Sequence, residues 1–155
     1  MNRKKLVFLT GTRADFGKLK SLISITQKFE SYDVHIFVTG MHMNSLYGST
    51  IDEIRKNGFD NIYPFINHDS IENMDRTLAK TIDGFSHFIA EIKPDLIIVH
   101  GDRVEAMAGA IVGSLNNILV AHLEGGEVSG TIDELVRHAV SKMSHIHLVA
   151  NKEPR

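Results

Sequence analysis

The sequence predicts an α/β domain built on a doubly wound, mostly parallel sheet of about six or seven strands. Two observations predict it. Apolar runs of strand length alternate with longer segments of helical period, the pattern of a parallel sheet whose crossovers are helices. Several of the runs are almost wholly apolar, as in Leu96-Ile97-Ile98-Val99, which suits strands covered on both faces.

The strands read as Leu6 to Thr10, Val34 to Thr39, Ile62 to Phe65, Leu96 to His100, Ile118 to His122 and Ile146 to Val149. A helix over Gly17 to Phe29 sets Leu19, Leu22, Ile23, Ile25, Thr26 and Phe29 along one stripe. A short helix from Ile51 to Asn57 stops at Gly58. Asp69 followed by Glu72 reads as a capping box that opens a long helix running to Lys93 and stopping before Pro94. Ala106 to Leu115 forms another helix, whose Gly109 and Gly113 permit close approach to a neighbour.

With 155 residues, 43% of them hydrophobic and 23% charged, the chain has enough apolar surface for one compact domain. A net charge of −2 offers neither nucleic acid nor an anionic membrane a basic face, so neither partner is expected. Cysteine is absent, which excludes disulfides and thiolate metal sites. The apolar run Leu6 to Leu9 is too short for a signal-peptide core or a membrane span, and a cytoplasmic protein is expected. After the last strand only five residues remain, where an α/β unit would start another helix, so the chain reads as part of a longer protein.

Ligands of open α/β sheets bind beyond the carboxyl ends of the strands, so residues just after each strand carry the functional argument. The first strand runs into Gly11-Thr12-Arg13-Ala14-Asp15-Phe16-Gly17, where helix amides and the Arg13 fork suit a phosphate or carboxylate. This is neither a dinucleotide fingerprint nor a P-loop, and a plain turn with a surface Arg13–Asp15 pair is the alternative. In His100-Gly101-Asp102-Arg103 and His122-Leu123-Glu124-Gly125-Gly126, an imidazole and a carboxylate stand two apart, so in extended chain each pair faces one side. Paired carboxylates in a crevice suit acid and base catalysis. The alternative is two core-edge histidines bonded to backbone, with Asp102 capping the next helix.

In Gly130-Thr131-Ile132-Asp133-Glu134-Leu135-Val136-Arg137-His138, Thr131 and Glu134 form a capping box. That leaves Asp133 either for chemistry or for a surface ion pair with Arg137 four residues on. His145 and His147 flank Ile146 at strand spacing, weak grounds for a metal site without a nearby carboxylate.

Taken together, these four segments resemble, in order and spacing, the UDP-N-acetylglucosamine 2-epimerase family. The resemblance implies the Rossmann-like N-terminal domain of a GT-B type enzyme whose active site lies between two domains, so that this chain supplies one wall and lacks the C-terminal half. Non-hydrolysing members usually carry a Thr-rich stretch after the Gly-Asp and a Pro-Glu-Glu at the last motif. Arg103-Val104-Glu105-Ala106 and Ile132-Asp133-Glu134 look instead like the hydrolysing branch, which makes N-acetylmannosamine and UDP, or acts on a 2,4-diacetamido sugar.

The resemblance further implies Asp102, Glu124 and Asp133 as catalytic acids and bases. It places Gly11, Arg13, Asp15, His100, Arg103, His122, Arg137 and His138 against a UDP-sugar substrate. It implies no cofactor and no metal, and a homodimer for the full-length protein. Rival readings are a metal-dependent phosphohydrolase using His100, Asp102, His122 and Glu124, and a non-catalytic sugar-nucleotide-binding module.

Overall fold

In a computed structural model, described for residues 2–48, 50–68, 73–125 and 128–150, the elements alternate as the sequence predicts. They are β1 (Lys4–Thr10), α1 (Arg13–Thr26), β2 (Tyr32–Val38), α2 (Ile51–Lys56), β3 (Ile62–Pro64), α3 (Met74–Ile92), β4 (Leu96–His100), α4 (Val104–Leu115), β5 (Leu119–Leu123), α5 (Ile132–Met143) and β6 (Ile146–Leu148). Two single 3-10 turns, Gly40–Met43 and Ser45–Tyr47, join β2 to α2.

Every strand pairing is parallel, in the order β3-β2-β1-β4-β5-β6. The order reverses between β1 and β4, and a crevice opens at such a switch point beyond the strand ends.

The all-apolar strands are explained by cover on both sides. From β1, Leu6 and Phe8 enter a cluster with Phe16, Leu19 and Ile23 of α1 and Ile51 and Ile54 of α2. Val7 and Leu9 enter the opposite cluster, with Phe85 and Phe88 of α3, Ala106 and Ala110 of α4, and Val136 and Val140 of α5. Burying each larger side chain contributes about 1.5–3 kcal/mol, so this double cover is the main force holding β1 at the centre.

Gly109 and Gly113 do allow close approach. A Cβ on them would fall 2.7 Å from Val99 Cγ1 and 2.4 Å from Val120 Cγ2, so α4 lies tight on β4 and β5. That contact fixes the height of the α4 N-terminus above the strand ends. Lys93 takes a left-handed φ of 53° and ends α3 just before Pro94. Among the described residues no helix is long and apolar enough to cross a membrane.

Several expectations are corrected. Helix α1 begins at Arg13 rather than Gly17, because Thr12 caps it by accepting the Asp15 N–H at 3.1 Å. It also ends at Thr26, before Phe29, and both Phe29 and Ile25, which lies on the outer face of its last turn, are more than half exposed rather than in the stripe. Thr131 occupies the cap position of α5 but its hydroxyl does not cap. Glu134 instead reaches back to the N–H groups of Ser129, at 3.2 Å, and Gly130. The capping box expected at Asp69 and Glu72 lies outside the described residues.

Candidate active site

The turns after β1, β4 and β5 bring their polar side chains together across the switch point. His100, at the end of β4, sits between two carboxylates: Nδ1 is 2.9 Å from Asp15 Oδ1 and Nε2 is 2.9 Å from Glu124 Oε2. Asp15 is itself fixed, because its other oxygen accepts the Gly11 N–H at 3.2 Å. Glu124 receives Lys18 Nζ at 2.8 Å on its second oxygen.

Among the described residues neither segment bonds its own imidazole to its own carboxylate, although His100 and Asp102 do line one cavity as expected. Gly101 has φ +76° and Glu124 has φ +57°, so the chain leaves the extended conformation just before the carboxylate of the first pair and at that of the second. His100 therefore meets Glu124 from the neighbouring strand, while Asp102 meets Arg137 of α5, 35 residues away in sequence. Arg137 is buried and committed to Asp102, which replaces the expected surface pair with Asp133.

His122 is corrected from a substrate contact to a structural residue. It is fully buried, with Nδ1 2.9 Å from Ser141 Oγ and Nε2 2.7 Å from the Gly101 carbonyl. Nε2 must carry the proton to bond a carbonyl, so Nδ1 accepts from the Ser141 hydroxyl. Burial pushes the His122 pKa down, so the ring is held neutral and braces the turn that carries Asp102. Asp15 is likewise buried and acts on His100 from behind.

The electrostatics of the cluster have a definite direction. Burial opposes a charge on His100, but hydrogen bonds and charges from Asp15 and Glu124 outweigh it and raise its pKa. The Lys18 ammonium and then the His100 hydrogen bond hold Glu124 below the usual carboxylate range. Glu124 is therefore an ionised group with its proton-accepting form favoured.

Two cavities, each of about 570 Å³, open beside this cluster, and Asp102 and Arg103 line both. One includes Thr12, Arg13, Thr50 and His100. The other includes Gly40, Asn67, Glu105 and Asp133, so Asp133 shares a cavity with Asp102. No hydrogen bond or ion pair of Asp133 is found among the described residues. Arg13 is exposed and pairs with Glu53 at 2.6 Å rather than with Asp15. His138, half exposed, lies 3.4 Å from Glu134 across one turn of α5.

Sequence reasoning missed Lys18 and His42. Lys18 follows Asp15 by three residues, hence on the same helix face, and that spacing was the available signal. His42 is buried between Thr10 Oγ1 at 2.9 Å and Thr50 Oγ1 at 2.6 Å. Burial pushes its pKa down to about 4, so it pins the post-β2 turn as a neutral ring. His145 Nδ1 accepts the Val120 N–H at 3.1 Å. Among the described residues no group of three histidine or carboxylate side chains is arranged to hold a metal.

A fully parallel, doubly wound sheet with acid-base side chains gathered beyond its carboxyl edge defines a Rossmann-like α/β domain of the GT-B type. A family profile described as UDP-N-acetylglucosamine 2-epimerase matches residues 25–155, and the chain belongs to that family. It is 48% identical to the UDP-N-acetylglucosamine 2-epimerase of Neisseria meningitidis serogroup B, over 97% of this chain and 40% of that protein. It is 42% identical to the UDP-N,N'-diacetylbacillosamine 2-epimerase (hydrolyzing) of Legionella pneumophila, over 96% and 40%. The solved UDP-GlcNAc 2-epimerase of Methanocaldococcus jannaschii superposes with a TM-score of 0.82 at 25% identity, covering 96% of this chain and 40% of that one. The chain thus spans about 40% of the length of these relatives.

Proposed function

We propose that the full-length protein is a hydrolysing UDP-N-acetylglucosamine 2-epimerase, converting UDP-GlcNAc and water to N-acetylmannosamine and UDP. This chain supplies one wall of the site and is inactive alone. The observation that carries the reading is that three carboxylates stand beyond one sheet edge in three different settings. Glu124 is ionised between Lys18 and His100, Asp102 is held by Arg137, and Asp133 faces the cavity it shares with Asp102.

In this reading Glu124 takes the C2 proton, and the C2–H electron pair forms a C1=C2 double bond as UDP leaves C1 with its bonding pair. The product is a 2-acetamidoglucal. Water then adds across the double bond, oxygen to C1 and a proton to the opposite face of C2, with Asp102 and Asp133 handling the protons. Arg13 and Arg103 meet the substrate from the cavity walls, Gly11 and His138 contribute from the turn after β1 and from α5, and Asp15, His100 and Arg137 orient the carboxylates. The reading carries with it a cytoplasmic location and a homodimer, the latter testable by light scattering of the full-length protein.

A second substrate is favoured by one specific observation. Relatives 42% and 33% identical, from Legionella pneumophila and Campylobacter jejuni, are named as hydrolysing 2-epimerases of N,N'-diacetylbacillosamine nucleotides. The metal-phosphohydrolase rival fares worse, because both His122 nitrogens are taken up by Ser141 and Gly101 rather than turned toward the three other residues it requires.

The test is proton NMR of UDP-GlcNAc with the full-length protein in heavy water. Free N-acetylmannosamine carrying deuterium at C2 is the expected product. UDP-GlcNAc left intact while the 2,4-diacetamido analogue is consumed moves the assignment to that sugar, and inertness toward both overturns the reading.

A further inference from the structure

Glu105 is a carboxylate that none of these roles uses. It lies in the first turn of α4 and is only 2% exposed. Side chains of this type are almost never so buried unless paired. Its partner is Arg103, whose Nε donates to Glu105 Oε2 at 3.3 Å. The Arg103 side chain is 44% exposed against 3% for Glu105, so the carboxylate is the anchored end and the guanidinium the open one.

The anchor is built from two other crossovers. A Cβ on Gly11, just after β1, would meet Glu105 Cγ and Cδ at 3.1 Å, and a Cβ on Gly40, just after β2, would meet Oε1 at 2.6 Å. Both backbones come as near to Glu105 as the absence of a side chain permits. Two neighbouring strand ends therefore clamp a carboxylate carried by the crossover of a third, an arrangement excessive for a surface ion pair between residues two apart.

What the clamp holds is Arg103, which with Asp102 and Met41 forms the partition between the two cavities. With Nε–H given to Glu105 and no partner of either terminal nitrogen found among the described residues, both are available as a fork for phosphate oxygens. An arginine fixed before its ligand arrives has already met much of the entropic cost of ordering its side chain.

We propose that Glu105 is a positioning residue that holds Arg103 on this partition so that its guanidinium meets the diphosphate of the bound nucleotide sugar. The proposal rests on the nucleotide-sugar reading above. In the hydrolysing-type motif Arg103-Val104-Glu105-Ala106, the arginine and the glutamate then function as one unit.

The test is calorimetric titration of UDP into the full-length protein, for the wild type, R103Q, E105Q and the double variant, with thermal melting to verify folding. R103Q is expected to weaken UDP about tenfold or more, the scale of a charge-assisted phosphate contact. E105Q, which keeps the volume packed on Gly11 and Gly40, is expected to weaken it severalfold, and the double variant to be no weaker than R103Q alone. E105D, which keeps the charge, should recover part of the loss, and it replaces E105Q in the cycle if that variant does not fold. Wild-type UDP affinity in E105Q, losses that multiply in the double variant, or no UDP binding by the wild type would each overturn the proposal. A wild type that binds UDP with this coupling but does not turn over UDP-GlcNAc leaves the role of Glu105 standing and overturns the reaction assignment instead.

Discussion

His100 Nε2 lies 2.9 Å from Glu124 Oε2, and the contact joins the end of β4 to the turn after β5 across neighbouring strands. Two titrating groups thereby stabilise each other over a limited pH range. His100 has a raised folded pKa, so its contribution is full below its ordinary value of 6.5 and is lost as pH rises through the folded value. Glu124 has a lowered folded pKa, so its contribution is full above its ordinary 4.5 and is lost as pH falls through the folded value. The melting-temperature difference between wild type and His100→Gln should therefore be largest between these two values. A difference that does not vary from pH 4 to 8 would show that the contact is not an ion pair.

Asp102 and Asp133 share a cavity, yet their removal should differ in its structural consequences. Asp102→Asn removes the carboxylate charge that Arg137, a buried guanidinium, meets on the part-exposed Asp102 side chain, and should cost about 1–3 kcal/mol, the scale of a hydrogen bond to a charged group. Asp133 is exposed at the start of α5, and Asp133→Asn should alter stability by about 0.5 kcal/mol or less. Both should reduce turnover by about 100-fold or more, on the scale of lost acid-base catalysis. Denaturant unfolding beside UDP-release kinetics checks both, and an Asp133→Asn enzyme with normal turnover removes that residue from the site.

Arg13 offers the reverse case. Its ion pair with Glu53 is exposed on both sides, and such pairs contribute about 0–1 kcal/mol. Arg13→Ala should leave the melting temperature nearly unchanged while weakening UDP binding by the full-length protein about tenfold, the loss of one charged phosphate contact. Unchanged UDP affinity would mean that Arg13 does not face the nucleotide.

The fold was legible because its cause is local in sequence. Apolar runs such as Leu96 to Val99 announce strands covered on both faces, and Gly58 and Lys93-Pro94 announce helix ends. The site was legible by position but not by partnership. His100 and Asp102, His122 and Glu124, and Asp133 and Arg137 are near in sequence, so spacing pairs them within each segment. The structure pairs His100 with Glu124 and Asp102 with Arg137 because the left-handed turns at Gly101 and Glu124 hand each carboxylate to another element. Those pairings depend on strand order, and strand order is not written in any one segment.

Lys18 gives the most direct test of which state of Glu124 matters. Its ammonium, 2.8 Å from Glu124 Oε1, is the largest influence lowering the Glu124 pKa. If Glu124 works as the base, activity falls on the acid side as the carboxylate takes up a proton. Lys18→Met removes the lowering influence, so the Glu124 pKa rises and the acid limb of the kcat/KM profile should move to higher pH, with the alkaline limb little changed. An acid limb that stays in place would assign it to another group, and one that moves to lower pH would contradict the electrostatic role of Lys18. His100→Gln should move the same limb in the same direction by a smaller amount, because His100 is the second influence on Glu124. Measuring both variants in one buffer series thus orders the two cations by their effect on a single carboxylate, independently of any change in the maximum rate.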